Sequence, residues 1–154
     1  MRKSFSILLY PLLTLLFSST VIGADEDTRT PEEKAWQFRD GLFHVIEWKF
    51  SKMIEAKFAG DKNGFHRNAA ELSYLSKMIP EGFVPNSIVV GSRATAEIWQ
   101  DWDDFSAKAA DFRSNLSELA DPAYDYTTFD PKKFGGDNCG SCHRAFKSRT
   151  PFEK

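Results

Sequence analysis

The segment from residue 98 to residue 119, IWQDWDDFSAKAADFRSNLSEL, decides the fold class of this chain. Its apolar residues recur at alternating spacings of four and three, namely Ile98, Trp102, Phe105, Ala109, Phe112, Leu116 and Leu119. An α-helix gathers positions with this spacing into one stripe, whereas a β-strand has a period of two. The segment therefore predicts an amphipathic helix over about residues 97–120, with one face in a hydrophobic core.

Three further segments predict helices of the same kind. Thr30 with Pro31, and Asp130 with Pro131, each place a capping residue before a proline, which is typical of a helix start. Residues 80–96 show no periodicity and predict a long connecting loop. The predicted helices cover about residues 31–58, 63–79, 97–120 and 131–148. Because no alternating strand pattern is present, we expect an all-α domain folded as an antiparallel four-helix bundle.

Residues 1–24 have the pattern of an export signal. Arg2 and Lys3 precede an apolar run over residues 5–17, and small residues follow it. The run is too short for a comfortable transmembrane span. We therefore expect cleavage near Ala24, a mature domain over residues 25–154, a location in the periplasm of a Gram-negative bacterium, and no membrane association after cleavage.

The composition of the mature chain limits its partners. Removal of the signal leaves 18 basic and 22 acidic residues, a formal charge of −4. This balance excludes an ordinary nucleic-acid-binding protein. About 130 residues form a single domain with a substantial core.

The stretch NCGSCHRAF at residues 138–146 contains both cysteines of the chain, in the pattern Cys139-x-x-Cys142-His143. This pattern occurs in redox dithiols, in zinc sites and at covalent haem attachment sites. A thioredoxin-like dithiol follows a strand, and no strand is predicted before Cys139. A structural zinc site needs four ligands, and the motif supplies at most three. Covalent attachment of one haem c per chain is the favoured interpretation.

A helix would place the three side chains of the motif on one face, since they stand at positions i, i+3 and i+4. The two cysteines would then bind the porphyrin edge, and His143 would be the metal ligand on one side of the iron. A second protein ligand would have to come from upstream, because only eleven residues follow His143 and none is Met or His. The upstream candidates are Met53, Met78, His44 and His66.

The chain resembles cytochrome c-prime, the family of high-spin class II c-type cytochromes, over essentially its whole mature length. The resemblance is carried by CGSCH at residues 139–143 on the last helix, by FRDGLFHVIEWKFSKM at residues 38–53 and by SRATAEIW at residues 92–99. It implies a haem inside the bundle, His143 as the single protein ligand, and an apolar side chain of the first helix over the open face of the iron. By position, Phe43 matches that covering side chain.

The resemblance also orders the candidate second ligands. Met53 lies ten residues beyond Phe43, roughly 15 Å along a helix, and is expected to fill the core, as is Met78. His44 is turned about 100° around the helix from Phe43, so a bis-histidine haem would require the helix to rotate. A solvent-facing or interface role is favoured for His44, and His66 is expected to face water.

Four further residues are candidates for contacts with the haem. Arg39 and Asp40 match a pair that the family places near a haem propionate, although a neutral polar residue is common where Asp40 stands. Arg93 in the loop before the third helix is a second propionate candidate, or else an ordinary surface arginine. Lys147 lies one turn after His143, where relatives commonly have arginine; it keeps the charge and loses the planar fork, or it is simply a solvated lysine.

The resemblance implies a function in binding small diatomic gases, nitric oxide and carbon monoxide, behind Phe43. Nitric oxide buffering or protection is the expected role, and an electron carrier that docks redox partner proteins is the alternative. An enzyme is not expected, because a peroxidase needs a distal acid–base group that an apolar screen does not supply. The resemblance also implies a homodimer formed through the first two helices, with Trp48 and Lys49 as contact candidates.

Overall fold

The computed structural model describes residues 27–83 and 86–153, and the predicted export signal lies outside them. Over these residues the chain forms the expected all-α four-helix bundle. The α-helices are α1 (Pro31–Ala59), α2 (Lys62–Ser76), α3 (Glu97–Gln100), α4 (Trp102–Ala120), α5 (Pro131–Phe134) and α6 (Gly140–Phe146). Pro80–Phe83 and Tyr126–Thr128 form 3₁₀ turns, and Gly135–Cys139 forms a π turn.

The first helix, α1, begins at the predicted Pro31 and ends at Ala59, one residue after the predicted end. The Thr30 hydroxyl accepts a hydrogen bond from the backbone N–H of Glu33 at 3.2 Å, and the Glu33 carboxylate accepts one from the N–H of Thr30 at 2.8 Å. This reciprocal pair satisfies two N–H groups that a helix start leaves open. Gly60 ends the helix in a left-handed conformation, with φ at 71°, which glycine adopts without steric cost.

The second helix, α2, ends at Ser76, three residues before the predicted end at residue 79. The backbone N–H groups of Met78 and Ile79 bond to carbonyls three residues earlier, at 3.0 and 3.2 Å. The chain thus tightens into turns that lead directly into the 3₁₀ turn Pro80–Phe83. The predicted loop over residues 80–96 accordingly starts with an ordered turn, which packs against α1.

The third predicted helix is divided into α3 and α4 at Asp101. This residue leaves the helical region, with φ at −127° and ψ at 61°, and its carboxylate accepts a hydrogen bond from the N–H of Asp104 at 3.3 Å. Asp101 thereby caps a new helix. The four-and-three stripe is preserved across the break, since Ile98, Phe105 and Leu116 are all buried.

The fourth helix of the bundle consists of α5, the π turn and α6, over residues 131–146. Asp130 caps its start by accepting hydrogen bonds from the N–H groups of Lys132 and Lys133, at 2.9 and 3.0 Å. It ends at Phe146, slightly before the predicted residue 148, because Lys147 is extended and forms an antiparallel bridge with Ala94.

The core lies between α1, α2 and α4, with the fourth helix closing it against α4. Met53, Phe65, Leu72 and Leu116 have no exposed surface. Among the described residues, no helix is both long and apolar enough to span a lipid bilayer.

Candidate functional site

The cysteine motif lies at the junction of the π turn and α6. Cys139 is the last residue of the π turn, and Cys142 with His143 lies on the first turn of α6. Both cysteines are free and partly buried, whereas His143 is exposed. The backbone thus places the three residues within five positions around the start of α6. That their side chains share one face stays a prediction.

The environment of the two thiols does not suit a redox dithiol. Burial is the main influence on both groups, and it raises the pKa of Cys139 and of Cys142 above the ordinary thiol value. A reactive dithiol needs a thiolate stabilised by positive charge or by a helix N-terminus. Nor does a zinc cluster assemble, because no three His, Cys, Asp or Glu side chains among residues 27–83 and 86–153 are grouped around one point.

A pair of side-chain amides, buried Asn138 and exposed Asn115, anchors the motif to α4. The Asn115 side-chain amide donates to Asn138 Oδ1 at 2.7 Å, and the Asn138 amide donates to the carbonyl of Phe134 at 3.0 Å. The Ser141 hydroxyl donates to the carbonyl of Asn138 at 2.7 Å. These bonds fix the position of Asn138, the residue directly before Cys139. The sequence did not predict this pair; its one signal is that Asn138 stands four residues before Cys142, one helical turn away.

A row of aromatic rings connects α1 with α6. Ring centroids are 6.4 Å apart for Phe43 and Phe83, 4.7 Å for Phe83 and Phe105, and 5.6 Å for Phe105 and Phe146, all in edge-to-face arrangements. We call Phe43, Phe83 and Phe105 the aromatic wall. Phe43 is 37% exposed, while the other two are buried. Phe83 was not found from the sequence because it lies in the segment without periodicity.

Arg39 supports the aromatic wall from inside the bundle. Only 4% exposed, its guanidinium lies over the Phe83 ring, 4.9 Å from the centroid. It donates to the carbonyls of Gly82 and Ser87 at 2.9 and 2.7 Å, to the Ser92 hydroxyl at 2.8 Å, and to the Ser87 hydroxyl. Burial lowers the pKa of Arg39 to about 10, so the group is still charged at neutral pH.

All four hydrogen-bond acceptors of Arg39 are neutral, and no carboxylate of the described residues bonds to it. A buried cation is costly unless an anion balances it. The chemistry of this site thus suits a nearby anionic group of a cofactor, such as a propionate. That contact stays a prediction, as does the one of Asp40, whose side chain is exposed.

Three of the candidates for a second iron ligand, His44, His66 and Met53, have other surroundings in the structure. His44 is exposed, and its Nδ1–H donates to the carbonyl of Asp40 at 2.8 Å. The prediction that His66 faces water is wrong: it is 8% exposed, and its Nδ1–H donates to the carbonyl of Leu119 at 2.9 Å. That acceptor lies on another helix, so local sequence could not reveal it. Met53 is fully buried in the core.

The residues after α6 pair with the loop before α3. Ser148 N–H donates to the carbonyl of Arg93 at 2.8 Å, and Thr95 N–H donates to the carbonyl of Phe146 at 3.1 Å. The Arg93 guanidinium donates to the carbonyls of Ser148 and Arg149, both at 2.9 Å. Arg93 is thus a structural clamp, and its predicted propionate contact is untested by these bonds.

His143 lies close to two cations. Its pKa is lowered, first by partial burial of the imidazole and then by the positive charges of Lys147 and Arg93. A lowered pKa keeps the ring neutral over a wider pH range, and only a neutral imidazole can bind a metal. Lys147 itself is exposed, just past the end of α6.

The sequence model of the Cytochrome C' family matches residues 34–147, from within α1 to the first residue beyond α6. The chain belongs to the cytochrome c' family. Membership accounts for the four helices and for the motif on the last of them. It also makes the chain a haem c protein.

Three relatives illustrate the match. Cytochrome c prime from Shewanella frigidimarina is 28% identical, with a TM-score of 0.62 over 78% of this chain and 98% of that chain. A leucine-to-glycine variant of ferric cytochrome c prime from Alcaligenes xylosoxidans, complexed with nitrite, is 25% identical, with a TM-score of 0.62 over 77% and 97%. Cytochrome c-556 of Agrobacterium tumefaciens (strain apple 185) is 34% identical over 80 residues, 49% of this chain and 62% of that protein.

The chain thus spans about three-fifths of the length of the curated cytochrome c-556 relatives that it matches. Against the solved cytochromes c' the alignment covers almost all of the known chain.

The residues of the motif fit a covalently held haem. The chain has two cysteines in all, so two thioether links to a haem c would have to use Cys139 and Cys142. Both thiols are partly buried beside α4, and Cys142 lies near Lys108 and Asp104 of that helix. The neutral, accessible imidazole of His143 would supply the metal ligand.

Proposed function

We propose that this protein is an exported, pentacoordinate haem c protein that binds small gaseous ligands, nitric oxide and carbon monoxide, behind Phe43. The observation that carries the proposal is the position of the four side chains able to donate to iron from upstream. His44 is exposed and bonded within α1, and Met53 is closed into the core. His66 bonds to the end of α4.

The length of α4 separates His66 from His143 and so argues against His66 as a second iron ligand. Its acceptor Leu119 is next to the last residue of α4, while the loop before α3, at the other end, pairs with Phe146. A helix of 19 residues is roughly 28 Å long. His66 and His143 therefore belong to opposite ends of the bundle, and Met78 packs beside the core from the end of α2.

Each residue of the site has a defined task in this proposal. The haem iron, when bound, supplies an open coordination position for a diatomic ligand. His143 would be the protein ligand that holds the iron. The aromatic wall would exclude water and large anions, and the half-exposed ring of Phe43 would have to turn aside to admit a ligand. The nitrite complex of the Alcaligenes xylosoxidans variant supports small-ligand binding within the family.

Binding without turnover is also part of the proposal. Phe43, Phe83 and Phe105 carry no proton donor or acceptor, whereas cleavage of an oxygen–oxygen bond needs both. Nitric oxide buffering or protection is the physiological role that we infer for a non-catalytic gas binder. Release of a haem protein into the periplasm agrees with a covalently tethered cofactor, and the mass of the mature protein from a bacterial host tests cleavage near Ala24.

The decisive experiment compares Phe43→Ala with Phe58→Ala in the haem-loaded protein. Phe58 is on the same helix, fifteen residues after Phe43, and is 73% exposed, so it controls for loss of an aromatic ring. We expect carbon monoxide association, followed after flash photolysis, to accelerate at least tenfold in Phe43→Ala, a barrier change of about 1.4 kcal/mol. Equal rates in the two variants would reject the screening role. A low-spin spectrum in both oxidation states would favour the electron carrier instead.

We further propose that the protein forms a homodimer through α1 and α2. Trp48 is 56% exposed, with the ammonium groups of Lys49 and Lys52 at 5.1 and 5.8 Å from its ring centroid. Val45 and Tyr74 extend this apolar area across both helices. Such an area favours association with a second copy. Sedimentation equilibrium should give twice the monomer mass, and a monomer at all concentrations would contradict the proposal.

A further inference from the structure

The C-terminal residues form an ordered surface with the loop before α3. We call residues 90–95 and 147–152 the tail surface. Gly91 N–H donates to the carbonyl of Phe152 at 3.0 Å, and Phe152 N–H donates to the carbonyl of Ser92 at 2.7 Å. Together with the Arg93 clamp and the Ala94–Lys147 bridge, these bonds hold the two segments in one arrangement. A partner would meet a surface that is already organised.

The tail surface is positive in an acidic protein. Arg93, Lys147 and Arg149 are exposed, and none of them pairs with a carboxylate anywhere in residues 27–83 and 86–153. Some lysines on other parts of the bundle form such pairs, as Lys49 does with Glu71 and Lys108 with Asp104, whereas others such as Lys132 do not pair with any carboxylate of the described residues. The tail surface thus concentrates uncompensated positive charge, although acidic residues outnumber basic ones in the chain.

Apolar side chains lie among these cations. Val90 and Phe152 are about half exposed, at 49% and 50%. Phe152 exchanges backbone hydrogen bonds with Gly91 and Ser92, and Val90 directly precedes Gly91, so the fold keeps both side chains at this surface. Exposed apolar groups surrounded by charge are typical of transient protein interfaces.

We propose that the tail surface is the docking surface for an acidic redox protein, which exchanges one electron with the haem beside His143. The surface is directly joined to the metal ligand, since Lys147 N–H donates to the carbonyl of His143 at 3.3 Å. Electrostatic complementarity would draw an acidic partner to this end of the molecule and away from the rest of its negative surface. The inference does not depend on gas binding, because it requires only the covalent haem.

The number of basic residues on the tail surface favours a protein partner over an anionic membrane. Recognition of anionic lipid usually relies on clusters of four to eight basic residues. Three exposed cations form the tail surface, and Glu153 follows it directly. Arg144 is also exposed, but it lies on α6 outside the two segments of the tail surface, and its guanidinium donates to the carbonyl of Gly136 at 3.4 Å.

The test measures the local charge at the site of electron exchange. The ferrous holoprotein gives one electron to hexacyanoferrate(III), forming the ferric protein and hexacyanoferrate(II), with no proton transferred. If the anion docks on the tail surface, its rate constant will fall as salt concentration rises, despite the net negative charge of the protein. Control by the net charge would make the rate constant rise with salt, and that result would overturn the proposal.

A pair of matched variants locates the effect. Arg149→Glu changes the tail surface, while Arg113→Glu makes the same change on an exposed, unpaired arginine of α4. At low salt we expect Arg149→Glu to slow oxidation by hexacyanoferrate(III) about three- to tenfold and to flatten its salt dependence. Arg113→Glu should differ from the unmodified protein by less than about twofold. Equal behaviour of the two variants would overturn the proposal.

Direct binding distinguishes the two kinds of partner. A flavodoxin of strongly acidic composition serves as the protein probe, and vesicles of phosphatidylglycerol serve as the lipid probe. Calorimetry with the holoprotein should detect flavodoxin binding that Arg149→Glu weakens at least threefold and Arg113→Glu leaves unchanged. Vesicle binding with no flavodoxin binding would overturn the proposal in favour of a membrane surface. Neither result changes the carbon monoxide test of Phe43.

Discussion

The aromatic wall and the tail surface, two regions on either side of the cysteine motif, are held together by different kinds of contact. The aromatic wall is assembled by packing of rings from three separate elements, with the buried charge of Arg39 behind it. The tail surface is assembled by backbone hydrogen bonds, and its charges face solvent. An apolar, packed side can select small neutral molecules by size, whereas an exposed, charged side can select proteins by their field. The helix that carries the motif can thus take part in binding a small molecule on one side and a protein on the other, because the two ligands contact different atoms.

Among the variants proposed, loss of Arg39 should have the largest effect. It removes the side chain that supports the aromatic wall and leaves the tail surface unchanged. Arg39→Met leaves the carbonyls of Gly82 and Ser87 without their donors. We expect a loss of about 2–4 kcal/mol in the free energy of unfolding, measured with urea on the holoprotein. Carbon monoxide association should also accelerate, since the Phe83 ring would lose the guanidinium that lies over it.

Arg67→Met is the matched control, because Arg67 is an exposed arginine of α2. The free energy of unfolding of Arg67→Met should differ from that of the unmodified protein by no more than about 0.5 kcal/mol. The salt dependence of hexacyanoferrate(III) oxidation should be the same in both arginine variants, since neither alters the tail surface. An Arg39→Met protein as stable as the control would show that the aromatic wall does not need the buried cation.

Truncation of Asn115 should have a smaller effect, on the side of the metal ligand. Asn115→Ala leaves Asn138 Oδ1 without its donor in a buried position. The expected loss is about 1–2 kcal/mol in the free energy of unfolding. The iron–histidine stretching band in the Raman spectrum of the ferrous protein should also shift, because Asn138 positions the turn that carries Cys139.

Asn63→Ala provides the comparison for that variant, since Asn63 is exposed on the first turn of α2. It should leave both the stability and the Raman band unchanged. If Asn115→Ala lowers stability without moving the band, the amide pair contributes to folding alone and does not orient the motif.

The smallest predicted effect is the pH response of the cap at Asp130. Hydrogen bonds from the backbone of Lys133 and Lys132 lower the pKa of this carboxyl. A depressed pKa means that its stabilising contribution is present above the unfolded value of 3.8 and is lost as the pH falls through the folded value. Asp130→Asn keeps a capping oxygen and cannot titrate. The variant should therefore be slightly less stable at pH 7, with the difference vanishing near pH 2 in thermal unfolding; a difference independent of pH would contradict this assignment.

The sequence predicted those features that arise from local periodicity and from covalent chemistry. The stripe from Ile98 to Leu119 specified its helix because burial follows the helical period, and the two cysteines with His143 specified the cofactor because their spacing matches its attachment. The break at Asp101 was missed, since an aspartate within an amphipathic pattern is compatible with an exposed helical position as well as with a cap.

Other features were beyond local reasoning because they depend on partners distant along the chain. His66 is buried through a carbonyl 53 residues away, and Arg39 finds its acceptors 43 to 53 residues away. The amide pair of Asn115 and Asn138 likewise forms only when α4 meets the fourth helix. Tertiary contacts of this kind leave no periodic trace in the sequence.

The π turn at Gly135–Cys139 has a consequence for how this chain can vary in length. Gly140 N–H bonds to the carbonyl five residues earlier, at Gly135, so the turn holds one residue more than an α-helix would. The wider turn absorbs that residue, because each of its residues turns the chain less than a residue of a regular α-helix does. Deleting Gly135 or Gly136 should therefore restore regular winding and leave Cys142 and His143 facing nearly the same way. A deletion within α4, which has no such turn, would instead rotate the chain that follows by about 100° around the axis. The last helix can thus lose one residue before its attachment site and keep its orientation, whereas α4 cannot.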